Sequence, residues 1–363
     1  MVSVIRHWFQ RTFADPEAVL LCVLLFLGFT LLLVFGSMLT PVLASVVIAY
    51  FLEWWVTVLQ RFKLQRLPAV LVAYLGFLGF FLAGFLLLLP RLWKQLSNLF
   101  EELPAMALKV QTAISALTQQ FPGYFSDEQL ASLMRSIMED ARSFGKVAVS
   151  VSLTSIPGLI TWMVYLVLVP LLVFFMLKDR QKITSWLISF LPQKRKMLTQ
   201  VWVEVNGQIA NYVRGKVTEI VILGLATYMA FLYFDLRYAV LLASLVGLSA
   251  LIPYIGSVVV TIPVILVAYL QWGWSSDFQY LLTVYAIIQI LDGNLLVPLL
   301  FSEAVNLHPV AIIVATLLFG GIWGFWGIFF AIPLATIVKA VLNAWPHARV
   351  KDKLKRIKRG SAP

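Results

Sequence analysis

Two long apolar segments in the last third of the chain are interrupted by helix breakers where a lipid-facing helix can hold none. One covers residues 238–270 and breaks at Ile252-Pro253-Tyr254-Ile255-Gly256. The other covers 309–341 and breaks at Gly320-Gly321-Ile322-Trp323-Gly324. Hydrocarbon offers an unpaired N–H or C=O no partner, so non-helical backbone persists there only inside protein or beside a water-filled cavity. Paired broken segments of this kind point to a transporter's binding site. Pro253, Tyr254, Gly256, Gly320, Gly321 and Gly324 are therefore candidates for a substrate or ion pathway.

The rest of the chain supports a membrane setting. Of its 363 residues 61% are hydrophobic and 12% charged, where a soluble domain carries about 25% charged residues. Stretches near or above the roughly 20 apolar residues that span a bilayer predict an all-α, polytopic membrane protein with about eight transmembrane elements. The single cysteine, Cys22, excludes a disulfide framework and a cysteine-based metal site. The first apolar run, 18–35, exceeds a secretory signal's apolar core and lacks a small-x-small site after it, so it reads as a retained helix.

The net charge of +11 is explained by where it lies. Most Lys and Arg fall at the N-terminus, in the loop Arg61/Lys63/Arg66, in 178–216 and in the tail with Lys339. The positive-inside rule puts these in the cytoplasm, with both termini. A basic run beside a membrane helix, such as 349–359, reads as an orientation signal or an anionic-lipid contact rather than a nucleic-acid site.

Along the chain, 1–90 reads as three transmembrane helices, with a tight outside turn at 36–41 and an end at Pro90. Residues 91–150 carry two runs of helical apolar spacing around Pro122-Gly123, a small extracytoplasmic amphipathic lobe. A fourth helix covers 151–177. Cytoplasmic interfacial helices follow over 178–216, where Trp186, Leu187 and Phe190 suit the headgroup layer. The transmembrane core, 217–345, holds both broken segments, and 346–363 is the basic tail. Counting crossings so that the tail ends inside makes each broken segment a helical hairpin or re-entrant loop, or else a long kinked element.

Ionisable groups within apolar runs are costly and default to function. Asp292, in Ile290-Leu291-Asp292-Gly293-Asn294, is the leading case, and Asn294 can share its hydrogen bonds. Glu219 and Glu53 stand near span ends, within snorkelling reach of the interface. Arg214 and Lys216 read as interface anchors. His308, before Pro309, reads as a helix-start residue. No His-Glu-x-x-His zinc motif or phosphate loop is present, and Gly247-Leu248-Ser249-Ala250 lacks the second glycine of an intramembrane serine protease motif. The chain thus reads as a non-enzyme without cofactor, its energy drawn from an ion gradient or its flux passive.

Leu251-Ile252-Pro253-Tyr254-Ile255-Gly256, Asp292-Gly293-Asn294 with Val297-Pro298, Leu307-His308-Pro309, Gly320-Gly321-Ile322-Trp323-Gly324, Gly327 and Ala331-Ile332-Pro333 occur in an order that resembles the AI-2E family of transporters. The resemblance covers nearly the whole chain. It implies a bacterial inner-membrane protein, homo-oligomeric and of pentameric type. It also implies export of the quorum-sensing signal autoinducer-2, or Na⁺(Li⁺)/H⁺ antiport. Where many members read Asn-Pro after the Ala-Tyr of the second segment, this chain has Glu53-Trp54. The expected partners are the bilayer and a small polar solute, or a monovalent cation and proton. The reading from another class is a membrane scaffold that moves nothing.

Overall fold

The computed structural model describes residues 16–120, 156–192, 195–301 and 307–344. Among these residues every regular element is helical. In order they are α1 (Pro16–Arg61), α2 (Arg66–Gln120), α3 (Ile156–Lys178), α4 (Arg180–Ser189), α5 (Lys196–Tyr233), α6 (Ala239–Ser249), α7 (Ile255–Trp272), α8 (Ser276–Leu291), α9 (Val297–Phe301) and α10 (Pro309–Ala344). A π-helical turn, Asp292–Leu296, joins α8 to α9. Among the described residues seven stretches are long and apolar enough to cross a membrane. The all-α polytopic fold is the one observed.

The tight turn expected at 36–41 contains no non-helical loop, because helical hydrogen bonding runs on past Pro41. The helix nonetheless doubles back. Glu17 Oε2 accepts from Met197 N at 2.8 Å, while Tyr50 OH donates to Asn206 Oδ1 at 2.7 Å. On a straight helix Glu17 and Tyr50 would lie about 50 Å apart, whereas Met197 and Asn206 are separated by about 14 Å along α5. The reversal falls near Pro41, which lacks an N–H and crowds the preceding carbonyl. The two candidate spans 19–36 and 38–61 are thus two arms of one bent element.

Helix α2 departs from the expected plan differently. It passes Pro90 without a break, so no turn separates the third span from the first amphipathic run. Packing explains its persistence: Leu92, Leu96, Leu99 and Met106 lie on the core formed by α5–α8, and Gln95 Oε1 accepts from Leu241 N at 2.8 Å. The second amphipathic run lies outside the described residues, as does the basic tail. Helix α4 buries none of its residues and exposes Trp186 and Leu187, with Phe190 exposed just beyond its end, the distribution expected of an interfacial helix.

Both broken segments reverse direction. At the free ends of α6 and α7, Gln271 Oε1 accepts from Arg237 N at 2.8 Å and Gln271 Nε2 donates to Asp235 O at 2.9 Å. At their joined ends Gly256 lies against the Ser249 carbonyl. In α10, Gly324 takes φ 60° and ψ −136°, and a Cβ on Gly327 would stand 1.8 Å from the Phe319 oxygen. Residues 319 and 327 of a straight helix would be about 12 Å apart, so α10 is two antiparallel arms, 309–323 and 325–344.

The hairpins approach α5 from opposite ends. The first has its base at the Tyr233 end, through Asp235 and Arg237. The base of the second packs Ile337, Ala340 and Val341 against Met197, Val201 and Val205 at the Lys196 end.

Candidate functional site

Helix α5 carries the charges around which the site is built. Lys216 and Glu219 are 4% and 3% exposed, and Lys216 Nζ meets Glu219 Oε2 at 2.7 Å. A buried charge survives in apolar surroundings only when paired and hydrogen-bonded, and the i, i+3 spacing brings this pair together on one face. Lys216 Nζ also donates to Ala250 O, at the turn of the first hairpin, at 2.7 Å. It lies 5.2 Å from the centroid of the Phe301 ring, within cation–π range.

The hairpin turn itself is strained. Ile255 N donates to Pro253 O at 2.7 Å around Tyr254, whose φ is 64° and ψ −47°. This is the rarer form of γ-turn, costly for a residue with a Cβ, and such backbone gathers at functional sites. Beyond it a cavity of about 210 Å³ opens. Its wall includes Lys216, Glu219, Pro253, Tyr254, Gln289 and Asp292, with Ile312 and Ile332 from the two arms of the second hairpin.

Asp292 stands where α8 gives way to the π turn, a helical irregularity frequent at functional sites. Its Oδ1 is buried and accepts no hydrogen bond. Lys216 makes its direct ion pair with Glu219, and Asp292 shares the same cavity wall without a hydrogen bond to its Oδ1. Two carboxylates and one ammonium, beside exposed turns of backbone, can bind a solute bearing hydroxyl or ammonium donors, a cation, or a proton.

A model of the AI-2E transporter family matches residues 19–347. The chain belongs to the AI-2E transporter family. An Escherichia coli K12 protein that bears the name permease PerM is 45% identical over 350 residues, covering 96% of this chain and 99% of that one. The transport protein YueF of Bacillus subtilis is 27% identical over 306 residues, 83% of this chain and 82% of its own length. YrrI, a second transport protein by name from that organism, is 26% identical over 319 residues, 85% and 87% of the two chains.

Within this AI-2E family transporter the candidates from sequence separate into groups. Glu219, Asp292, Pro253 and Tyr254 line one cavity, and Gly256 packs directly behind its wall. Asn294 does not partner Asp292; it is exposed and donates from Nδ2 to Ile290 O at 2.9 Å. Gly320, Gly321 and Gly324 form the turn of the second hairpin, where Trp323 packs on Gly36 of α1, and they do not line the cavity. Glu53 lies elsewhere, holding Arg66 at 3.2 Å and Arg180 at 2.6 Å where α1, α2 and α3 end or begin. His308 Nδ1 accepts from Val310 N at 3.3 Å, the helix-start role expected of it.

Lys216 is the site residue that the sequence reading set aside as an interface anchor. It is buried and sits at the centre of the wall. Its spacing from Glu219 was the available signal.

Proposed function

We propose that this AI-2E family transporter is a secondary permease of the bacterial inner membrane, with both termini cytoplasmic, that moves a small polar solute through the cavity between its two hairpins. A quorum-sensing signal of that chemistry, exported from the cell, fits the reading. The observation that carries it is the cavity itself: about 210 Å³, walled by both broken segments and holding Lys216, Glu219 and Asp292. About 10–15 Å³ of such space is enough for one water, so the cavity admits a small polar solute or a hydrated ion.

Antiport of a monovalent cation against protons is the second reading, favoured by the partnerless, buried Oδ1 of Asp292. Such an oxygen can take up a proton or a cation in turn. Purified protein in proteoliposomes separates the two with a panel of polar solutes and with cation-driven proton movement. Asp292→Asn is expected to abolish the coupled proton movement while sparing a signal-molecule flux. Proton coupling that survives the substitution would sink the antiport role of Asp292. A wild-type protein that moves neither solute nor protons would instead be a scaffold.

A further inference from the structure

Two side chains one helical turn apart on α5 each hold the backbone of a different hairpin. Lys216 Nζ donates to Ala250 O of the first at 2.7 Å, and Tyr212 OH donates to Phe329 O of the second at 2.9 Å. Residues spaced i, i+4 share one helix face. Phe301 bridges them, its ring 6.0 Å from that of Tyr212 and beneath the Lys216 ammonium. Tyr212 is 2% exposed, so its hydroxyl and the Phe329 carbonyl are exchanged for no water partner when the bond is intact.

Because the hairpins enter from opposite ends of α5, each bond holds the hairpin that comes in from a different face. On the Tyr233 side of Asp292 the cavity wall is the first hairpin turn, and the second hairpin, which enters from the Lys196 end, contributes Ile312 and Ile332 to that wall and Phe329 O to the bond with Tyr212. We propose that Tyr212 and Lys216 are positioning residues that latch the two hairpins as separate gates. Release of one bond at a time then opens the cavity to one face at a time. The latches rest on the transport reading for their purpose, but their existence is tested without any solute.

Neither latch depends on a charge that only one state can carry. Glu219 orients the Lys216 ammonium from the same helix, and Asp292 faces it across the cavity. Tyr212 is held by packing with Phe301 and Phe329, whose ring centroids are 6.0 and 6.1 Å away. The two bonds can therefore be removed separately.

The test is side-specific labelling of the full chain in inside-out and right-side-out vesicles, with Cys22→Ser as background and a membrane-impermeant maleimide as probe. Ser257→Cys reports on the first hairpin and Ile312→Cys on the second. Tyr212→Phe should raise labelling of both reporters only from the Lys196-end face. Lys216→Met with Glu219→Gln, which removes both members of the α5 ion pair together, should raise it only from the Tyr233-end face. Loss of one such hydrogen bond allows a rise of about fivefold to tenfold in the open population. Unchanged labelling in both variants, or an equal rise from both faces with either, would overturn the latches. Absent flux in the wild type alongside the side-specific pattern would count against the transport reading and leave the latches standing.

Discussion

Gly256 and Ser249 touch backbone to backbone: a Cβ added to Gly256 would stand 1.9 Å from the Ser249 carbonyl oxygen. The first hairpin can close only because residue 256 has no side chain. Its counterpart is Gly327 against Phe319, at 1.8 Å. Gly256→Ala should therefore force the turn apart and destabilise the protein by at least the roughly 1–3 kcal/mol of an overpacked core. Gly321→Ala, with nothing within 4 Å of its Cβ, should melt like the wild type. Thermal unfolding in detergent, followed by size exclusion, compares the two. Equal melting temperatures would show that the hairpin is not closed as described.

The Lys216–Glu219 pair gives a second contrast. Lys216→Met leaves a carboxylate buried without its ion partner, which typically costs about 3–5 kcal/mol. Adding Glu219→Gln removes the charge as well and should recover most of that loss. Melting curves of the single and double variants check it. A double variant no more stable than the single one would mean that Lys216 stabilises through Ala250 and Phe301 rather than through Glu219.

How much of this was legible in sequence depends on what each residue needed from its neighbours. The breaks at Pro253–Gly256 and Gly320–Gly324 were visible because proline and glycine act locally, whereas charge placement left hairpin, re-entrant loop and kinked element open and only the close approaches at Gly256 and Gly327 distinguish them. Asp292 was visible because a lone carboxylate in an apolar run has a high cost wherever it lies. Pro90 misled for the complementary reason. Its local effect is to break a helix, and packing of Leu92, Leu96 and Leu99 on the core overrides it. Lys216 was misread because the 178–216 basic stretch hides one cation that turns inward, and only the hairpin carbonyl of Ala250, distant in sequence, reveals it. Nor could spacing show that the second hairpin's glycines would serve its turn while its isoleucines line the cavity.

Glu53 illustrates a charge that is structural. It gathers Arg66 and Arg180, while Arg66 Nη2 also donates to Leu177 O at 2.9 Å, tying three helix ends together. Glu53→Gln should lower stability by about 1–2 kcal/mol, between an exposed ion pair and a buried one. Flux per folded molecule should not change, because the cluster lies off the cavity. Proteoliposome flux normalised to the folded fraction decides the matter, and a selective loss of flux would return Glu53 to the pathway.

Arg237 and Glu102 form an ion pair of the opposite kind, 3.5 Å long with side chains 63% and 44% exposed. Solvent screens it, so Glu102→Gln should change stability by less than about 0.5 kcal/mol. Denaturation midpoints at low and high salt measure this directly. A large, salt-sensitive loss would mean that the pair helps hold the first hairpin's base, a role the structure gives to Gln271.

Tyr254 offers the sharpest separation of stability from function. Its γ-turn backbone has a positive φ that glycine adopts freely, and the side chain is 56% exposed, so little burial offsets the strain. Tyr254→Gly should relieve about 1–3 kcal/mol of backbone strain, less the larger conformational freedom of glycine in the unfolded chain. The net expectation is a variant at least as stable as the wild type. Transport should fall nonetheless, because the strained turn presents Pro253 and Tyr254 to the cavity and a relaxed one can turn them away. Melting temperature and solute flux measured on one preparation separate the effects. A variant that loses stability would show that the tyrosine side chain, rather than the turn, holds the hairpin closed.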